Sequence, residues 1–237
     1  MKNKQFWIIA VVVIALVGFG FYLASKSTDT ISNPQPPATS DSIKGDKVYI
    51  RDYSHMTGDK NVAKVTLIEF GDFECPVCGT TYPVINDIVT KYKADSNFNY
   101  VFRNFPLPQH TNAPISASAA EAAASQGKYF EMIGQLYTNQ DEWSGSVDPV
   151  SSFTKYAQNL GLDVNKFTSD TTSYKYYNNV QQDLADGNAL GLNATPTFYL
   201  LDASGNATQF VGAGDVGKMS SQIDTMMVAA DKVSSGK

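Results

Sequence analysis

Cys75 and Cys78 are the only cysteines among 237 residues, and they stand in a Cys-Pro-Val-Cys unit. Two thiols at that spacing can exchange a disulfide with another chain, hold a metal, or close a structural bridge. A bridge would close a loop worth only about 2 kcal/mol on the chain-entropy account, a weak staple. A metal site would need two more ligands, and the only histidines, His55 and His110, lack finger-like spacing. Redox exchange is the expected chemistry, and it requires neither a metal nor another cofactor.

The flanking residues say how the thiols would be held. The run Val62 to Phe70 is rich in β-branched and aromatic residues and predicts a buried strand. Pro76 then opens a helical pattern to about Lys93, with Val77, Tyr82, Ile85, Ile88, Val89 and Tyr92 largely on one face. Proline suits the first helical position, where its missing N–H costs nothing. Cys75 is therefore expected at the N-cap, facing unpaired N–H groups and the positive end of the helix dipole. Both favour the thiolate, the nucleophile of disulfide exchange. Cys75 is the expected attacking residue, and Cys78, one turn inside, the shielded resolving one. Glu69 lies in the apolar strand just ahead of the pair. It either faces solvent by alternation or is a buried carboxylate with a raised pKa.

The N-terminus bears on the compartment. Phe6 to Ala24 is apolar and uncharged, long enough to span a bilayer, and follows Lys2 and Lys4. Signal-peptide cores are shorter, and no clean small-x-small site follows, Tyr22-Leu23-Ala24 putting a bulky ring at the wrong place. An uncleaved anchor at 6–24 is therefore expected, with residues 1–5 cytoplasmic. Residues 25–45 are rich in Ser, Thr, Asn, Asp and Pro and read as an extended tether. The folded domain is expected over 46–237, on the far side of the membrane. There a lone cysteine pair suits exchange better than framework. A net charge of −5, with scattered lysines, argues against a nucleic-acid partner.

Within that domain, Lys47–Asp52 is expected as a short edge strand and His55 as a surface residue in the turn after it. Asn97–Asn104 alternates Phe98, Tyr100 and Phe102 with polar residues, which predicts a half-buried strand and completes a βαβ unit. Helical patterns follow over Ala113–Tyr137 with a break near Gly127, then Pro149–Leu160, Val164–Thr171 and about Tyr174–Leu190. Trp143 is expected to pack this helical block. Strand character returns at Thr197–Leu201 and Thr208–Val211, joined by a hairpin loop, and Asp215–Val233 reads as a final helix. The fold class is α/β, a small mixed sheet interrupted by helices at about 110–190.

That architecture, with its motifs, resembles the DsbA-like branch of the thioredoxin superfamily. Phe70-Gly71-Asp72-Phe73-Glu74-Cys75-Pro76-Val77-Cys78 is similar to the family's active-site turn, and Arg103-Asn104-Phe105-Pro106-Leu107 with His110 to the entrance of its helical insert. Ala119 to Ala123, Gln126 to Met132 and Asn139-Gln140 resemble the insert's first helices, and Ala194-Thr195-Pro196-Thr197-Phe198 the segment carrying a cis proline. The resemblance implies a thioredoxin-like fold with an inserted helical domain, here preceded by a transmembrane helix. It implies that Pro196 is cis and packs on the redox pair, that the backbone of Thr195 pairs with substrate, and that Glu69 moves protons for Cys78. It places His110 near the active-site surface, with Pro76 and Val77 beside the reacting sulfur. Val77 departs from the histidine of strongly oxidising members, so Cys75 is expected to be less acidic than theirs.

The expected activity is disulfide donation to exported proteins with free cysteines, by a monomer that a quinone-linked membrane thiol oxidase reoxidises. The rivals are a reductase or isomerase and, in a different class, a metal- or peptide-binding module.

Overall fold

The structure is a computed structural model that describes residues 50–234. The expected anchor at 6–24, the tether at 25–45 and the first residues of the expected edge strand lie outside the described residues. Among the described residues no helix is long and apolar enough to cross a membrane.

Five strands form one mixed sheet: β1 His55–Met56, β2 Val65–Gly71, β3 Phe98–Asn104, β4 Thr197–Leu201 and β5 Ala207–Val211, in the order β1-β3-β2-β4-β5. β2 and β3 are parallel, and the other pairs are antiparallel. Helix α1, Pro76–Tyr92, makes the crossover between the parallel pair. Six helices separate β3 from β4: α2 Ala113–Ala124, α3 Tyr129–Thr138, α4 Gln140–Trp143, α5 Pro149–Asn159, α6 Val164–Thr172 and α7 Tyr177–Ala189. A 3₁₀ turn, Ala213–Asp215, leads into α8, Val216–Ser234. This is the thioredoxin-like α/β fold with a helical insert that the sequence implied.

Both faces of the sheet are covered, and side-chain parity assigns each residue to one of them. Leu67, Tyr100, Phe102, Phe198 and Leu200 join α1, α8 and the insert in the larger core. Ile68, Phe70, Val101 and Tyr199 form a smaller core on the opposite face with Phe105 and Leu192. The half-buried reading of β3 is corrected: all seven of its residues are buried. Asn99, Arg103 and Asn104 tolerate this because each has polar partners: Asn99 accepts from the Gly58 N–H, Asn104 donates to Glu121, and the Arg103 guanidinium meets Asp183 and Asp186 on α7. Alternating polarity here reflects two different buried faces rather than one wet one.

The edge strand is also corrected. Residues 51–53 have no strand pairing, and the short edge strand is His55–Met56, opposite Phe102 and Val101. Side chains hold the preceding segment instead: Arg51 reaches Asp186 and Tyr53 reaches Asp183. His55 is not a plain surface residue. Its ring stacks on Tyr129 with centroids 3.7 Å apart, and its Nε2 lies 3.1 Å from Glu121. Trp143 packs the insert as expected, fully buried, donating from Nε1 to the Leu136 carbonyl at 2.9 Å.

Candidate active site

The C-terminal end of β2 delivers Gly71 and Asp72 to the start of α1. Gly71 is needed there: a Cβ would come within 2.7 Å of the Phe102 ring and 3.0 Å of the Tyr137 hydroxyl. Phe73 then plugs the space under the turn, stacked on Phe102 at 5.0 Å. Cys75 is the N-cap of α1, extended at φ −69° and ψ 120°, with Pro76 next.

Both cysteines are free thiols and buried, but their surroundings differ. The Cys78 thiol donates toward Cys75, and this is the largest influence holding the Cys75 pKa down to about 5; burial opposes it. The Thr195 side chain and the N–H groups of Cys78 and Val77 add to the lowering. As a thiol, Cys75 donates to the Thr195 carbonyl at 3.4 Å, while the buried Thr195 hydroxyl has no acceptor of its own. On ionisation that hydroxyl can donate to the sulfur instead. Burial pushes Cys78 well above the usual thiol value, helped by its hydrogen bond to Cys75 and by the charge of Glu69. One sulfur is poised as an anion and the other as a proton holder.

Glu69 is 3% exposed on the α1 face of β2, which removes the solvent-facing alternative. Burial, with a smaller contribution from a negative Cys75, raises its pKa to about 7. The Tyr100 hydroxyl donates to Glu69 Oε2 at 2.7 Å and opposes the rise. A buried carboxylate that titrates near neutrality, electrostatically coupled to both cysteines, can hold or release the proton of Cys78.

The Thr195–Pro196 peptide is cis, both residues are buried, and the Thr195 carbonyl faces the Cys75 sulfur. Pro76 and Val77 are exposed beside Cys75, Val77 by 40%. His110 is brought to the same loop cluster but turns to Asp72, its Nδ1 standing 2.6 Å from Oδ2, rather than to the cysteines. It lines a groove of about 800 Å³ with Leu107, Pro108, Leu184, Leu192 and Asn193, and Asn193 lies two residues before Thr195.

Sequence reasoning missed Tyr100, Asp72 and Glu74. Asp72 accepts from the N–H groups of Glu74 and Leu107, and Glu74 accepts from those of Asn112 and Gly145. The last two were visible only as charges inside an apolar turn. Tyr100 was visible only as one more aromatic residue on a strand.

A family model described as Thioredoxin matches residues 51–224. The Na(+)/H(+) antiporter NhaA 1 of Mycobacterium sp. (strain KMS) is 36% identical over 180 residues, 74% of this chain but 27% of the antiporter. The chain thus spans about a quarter of that relative's length. The structure of Wolbachia pipientis alpha-DsbA1 superposes with a TM-score of 0.67 at 20% identity, covering 77% of this chain and 95% of that one. A thioredoxin-like oxidoreductase from Silicibacter pomeroyi DSS-3 gives a TM-score of 0.56 at 26% identity, covering 77% and 94%.

Proposed function

Since the chain belongs to the thioredoxin family and has a DsbA-like fold, we propose that it is a thiol-disulfide oxidoreductase that introduces disulfides into exported proteins. The observation that carries this reading is the asymmetry of the pair, an acidic Cys75 at the helix N-cap backed by a shielded Cys78 and a proton-holding Glu69.

In the oxidised enzyme a substrate thiolate attacks Cys75 Sγ. The Cys75–Cys78 bond breaks, and Cys78 leaves as a thiolate whose high proton affinity draws a proton from protonated Glu69. The substrate strand lies along the Thr195 backbone, and residues flanking its cysteine reach the groove beside His110. A second substrate thiolate then attacks the substrate's own sulfur in the mixed disulfide. Cys75 departs as a stable thiolate, the substrate leaves with a disulfide, and the enzyme keeps two electrons. A quinone-linked membrane thiol oxidase takes those electrons, and the apolar segment at 6–24 anchors the enzyme near it, facing outward.

The deciding experiment is the reduction potential of the full-length protein equilibrated against glutathione. A value between about −120 and −180 mV supports a disulfide donor. A value near about −270 mV means that the disulfide is too stable to give away, and the protein would be a reductase.

A further inference from the structure

We propose that Gln140, on the helical insert, is a positioning residue of the redox centre, fixing the turn that carries Cys75 and so setting how readily the pair surrenders its disulfide. The inference rests on the exchange chemistry proposed above and deepens it.

The turn from Asp72 to Cys75 closes with little bonding of its own. Cys75 N donates to the Asp72 carbonyl at 3.1 Å, and Glu74 N to the Asp72 side chain at 2.8 Å. The rest of its support comes from outside. Gln140 Nε2 donates to the Phe73 carbonyl at 2.6 Å and to the Cys75 carbonyl at 3.0 Å, spending both amide hydrogens on either side of Glu74. Two carbonyl acceptors fix which end of the amide faces the turn.

A second observation is independent of those bonds. Gln140 Oε1 lies so close to α1 that a Cβ on Gly79 would stand 2.6 Å from it. The amide therefore lies against the first turn of the cysteine helix, in a space that a side chain at 79 would take. Gly79 N also donates to the Cys75 carbonyl, at 3.1 Å, so that one oxygen is held from the helix and from the insert together.

Gln140 itself stands on a rigid base. Trp143 is fully buried one turn later, and Asn139 Nδ2 donates to the Gln135 carbonyl at 2.8 Å. Holding the Cys75 peptide plane fixes the direction in which its side chain leaves the backbone. Sγ then stays in front of the Val77 and Cys78 N–H groups and beside Thr195. Without the amide the plane can rotate and the thiolate loses part of that alignment. A less stable thiolate means a less stable reduced form, a more negative potential and a weaker disulfide donor.

Gln140→Met keeps the length and most of the packing but removes both donors. In the full-length protein the pH at which the Cys75 thiolate absorbance appears should rise. The equilibrium with glutathione should move roughly tenfold toward the enzyme disulfide, about 30 mV. Asp163→Ala, which removes the side-chain cap of α6 elsewhere in the insert without touching Gln140 or the cysteine turn, should leave both readings at wild-type values. Gln140→Glu keeps the shape and sets a carboxylate against two carbonyls, so it should shift both readings the same way at pH 8. It replaces the methionine variant should that one fail to fold. The inference is overturned if the Gln140 variants match wild type in both readings, or if Asp163→Ala shifts them as far. A wild-type protein that exchanges no disulfide at all would instead sink the parent reading, a result the wild-type curve reports by itself.

Discussion

Glu69 and Asp183 are both buried carboxylates beside the central strands, on opposite faces of the sheet, and they keep different company. Asp183, on α7, receives Arg103 Nε at 2.5 Å, the Asn104 N–H at 2.9 Å and the Tyr53 hydroxyl at 3.1 Å. Arg103 extends the cluster to Asp186, which Arg51 also reaches. Charge meets charge there, and the cluster ties β3 and the segment before β1 to the insert. Glu69 receives the Tyr100 hydroxyl, and no ion pair among the described residues includes it. Its burial is unbalanced, so its proton is held to about pH 7. Burial raises the pKa of Asp183 too, but a guanidinium opposes the rise there. A buried acid tied to a cation is a fastening, and one met by a hydroxyl beside two sulfurs is a reagent.

That contrast predicts separable consequences. The largest lies on the sulfur that both proton and electron chemistry serve. Cys75→Ser should lower oxidation of a dithiol peptide on the order of 10³-fold or more, with an unchanged circular dichroism spectrum. Next, Arg103→Met should cost about 3–5 kcal/mol in urea unfolding, because Asp183 is left charged and buried. It should leave the redox potential in place, and a large movement of the potential would break the distinction between fastening and reagent.

Glu69→Gln should act the other way, on chemistry and with a gain in stability. A carboxyl whose pKa is about 7 folded and near 4.5 unfolded binds more protons in the folded state between those values. Its contribution therefore weakens stability as pH rises through that window. The variant should be about 3 kcal/mol more stable than wild type at pH 8, with the gain vanishing below about pH 5. Exchange through Cys78 should slow roughly 10²-fold, read by stopped-flow tryptophan fluorescence. The smallest effect belongs to Tyr100→Phe. Loss of a donor that favours the ionised carboxylate, worth about 1 kcal/mol, should move the Glu69-dependent limb of the pH–rate profile to higher pH. A downward move would mean that Tyr100 serves the protonated form.

Much of this was legible in the chain. The strand-to-helix junction at Cys75 follows from local pattern and from Pro76, both short-range signals. The insert's helices were visible because alanine content and apolar period persist over long stretches. Partners set by packing were not legible. Nothing in the sequence around Tyr100 points to Glu69, because the hydrogen bond depends on the parallel register that sets Leu67 beside Tyr100 and Glu69 beside Phe102. His55 read as surface because its stacking partner, Tyr129, is 74 positions away in the chain. Of the expected edge strand, the described residues form a side-chain-tethered segment ahead of the strand His55–Met56, since Arg51 and Tyr53 found acids on α7 that no local pattern announces.

The topology has a temporal consequence. Cys75 and the Thr195 carbonyl that caps it are 120 positions apart, and the whole insert lies between them. At about 5–20 residues per second, a ribosome emits the second roughly 6–24 s after the first. Through that interval no Thr195–Pro196 loop exists to bury the sulfurs, and the pair is an open dithiol on an unfinished chain. The first oxidation state of each molecule is therefore inherited from its surroundings at birth, before the fold that will govern every later exchange has assembled.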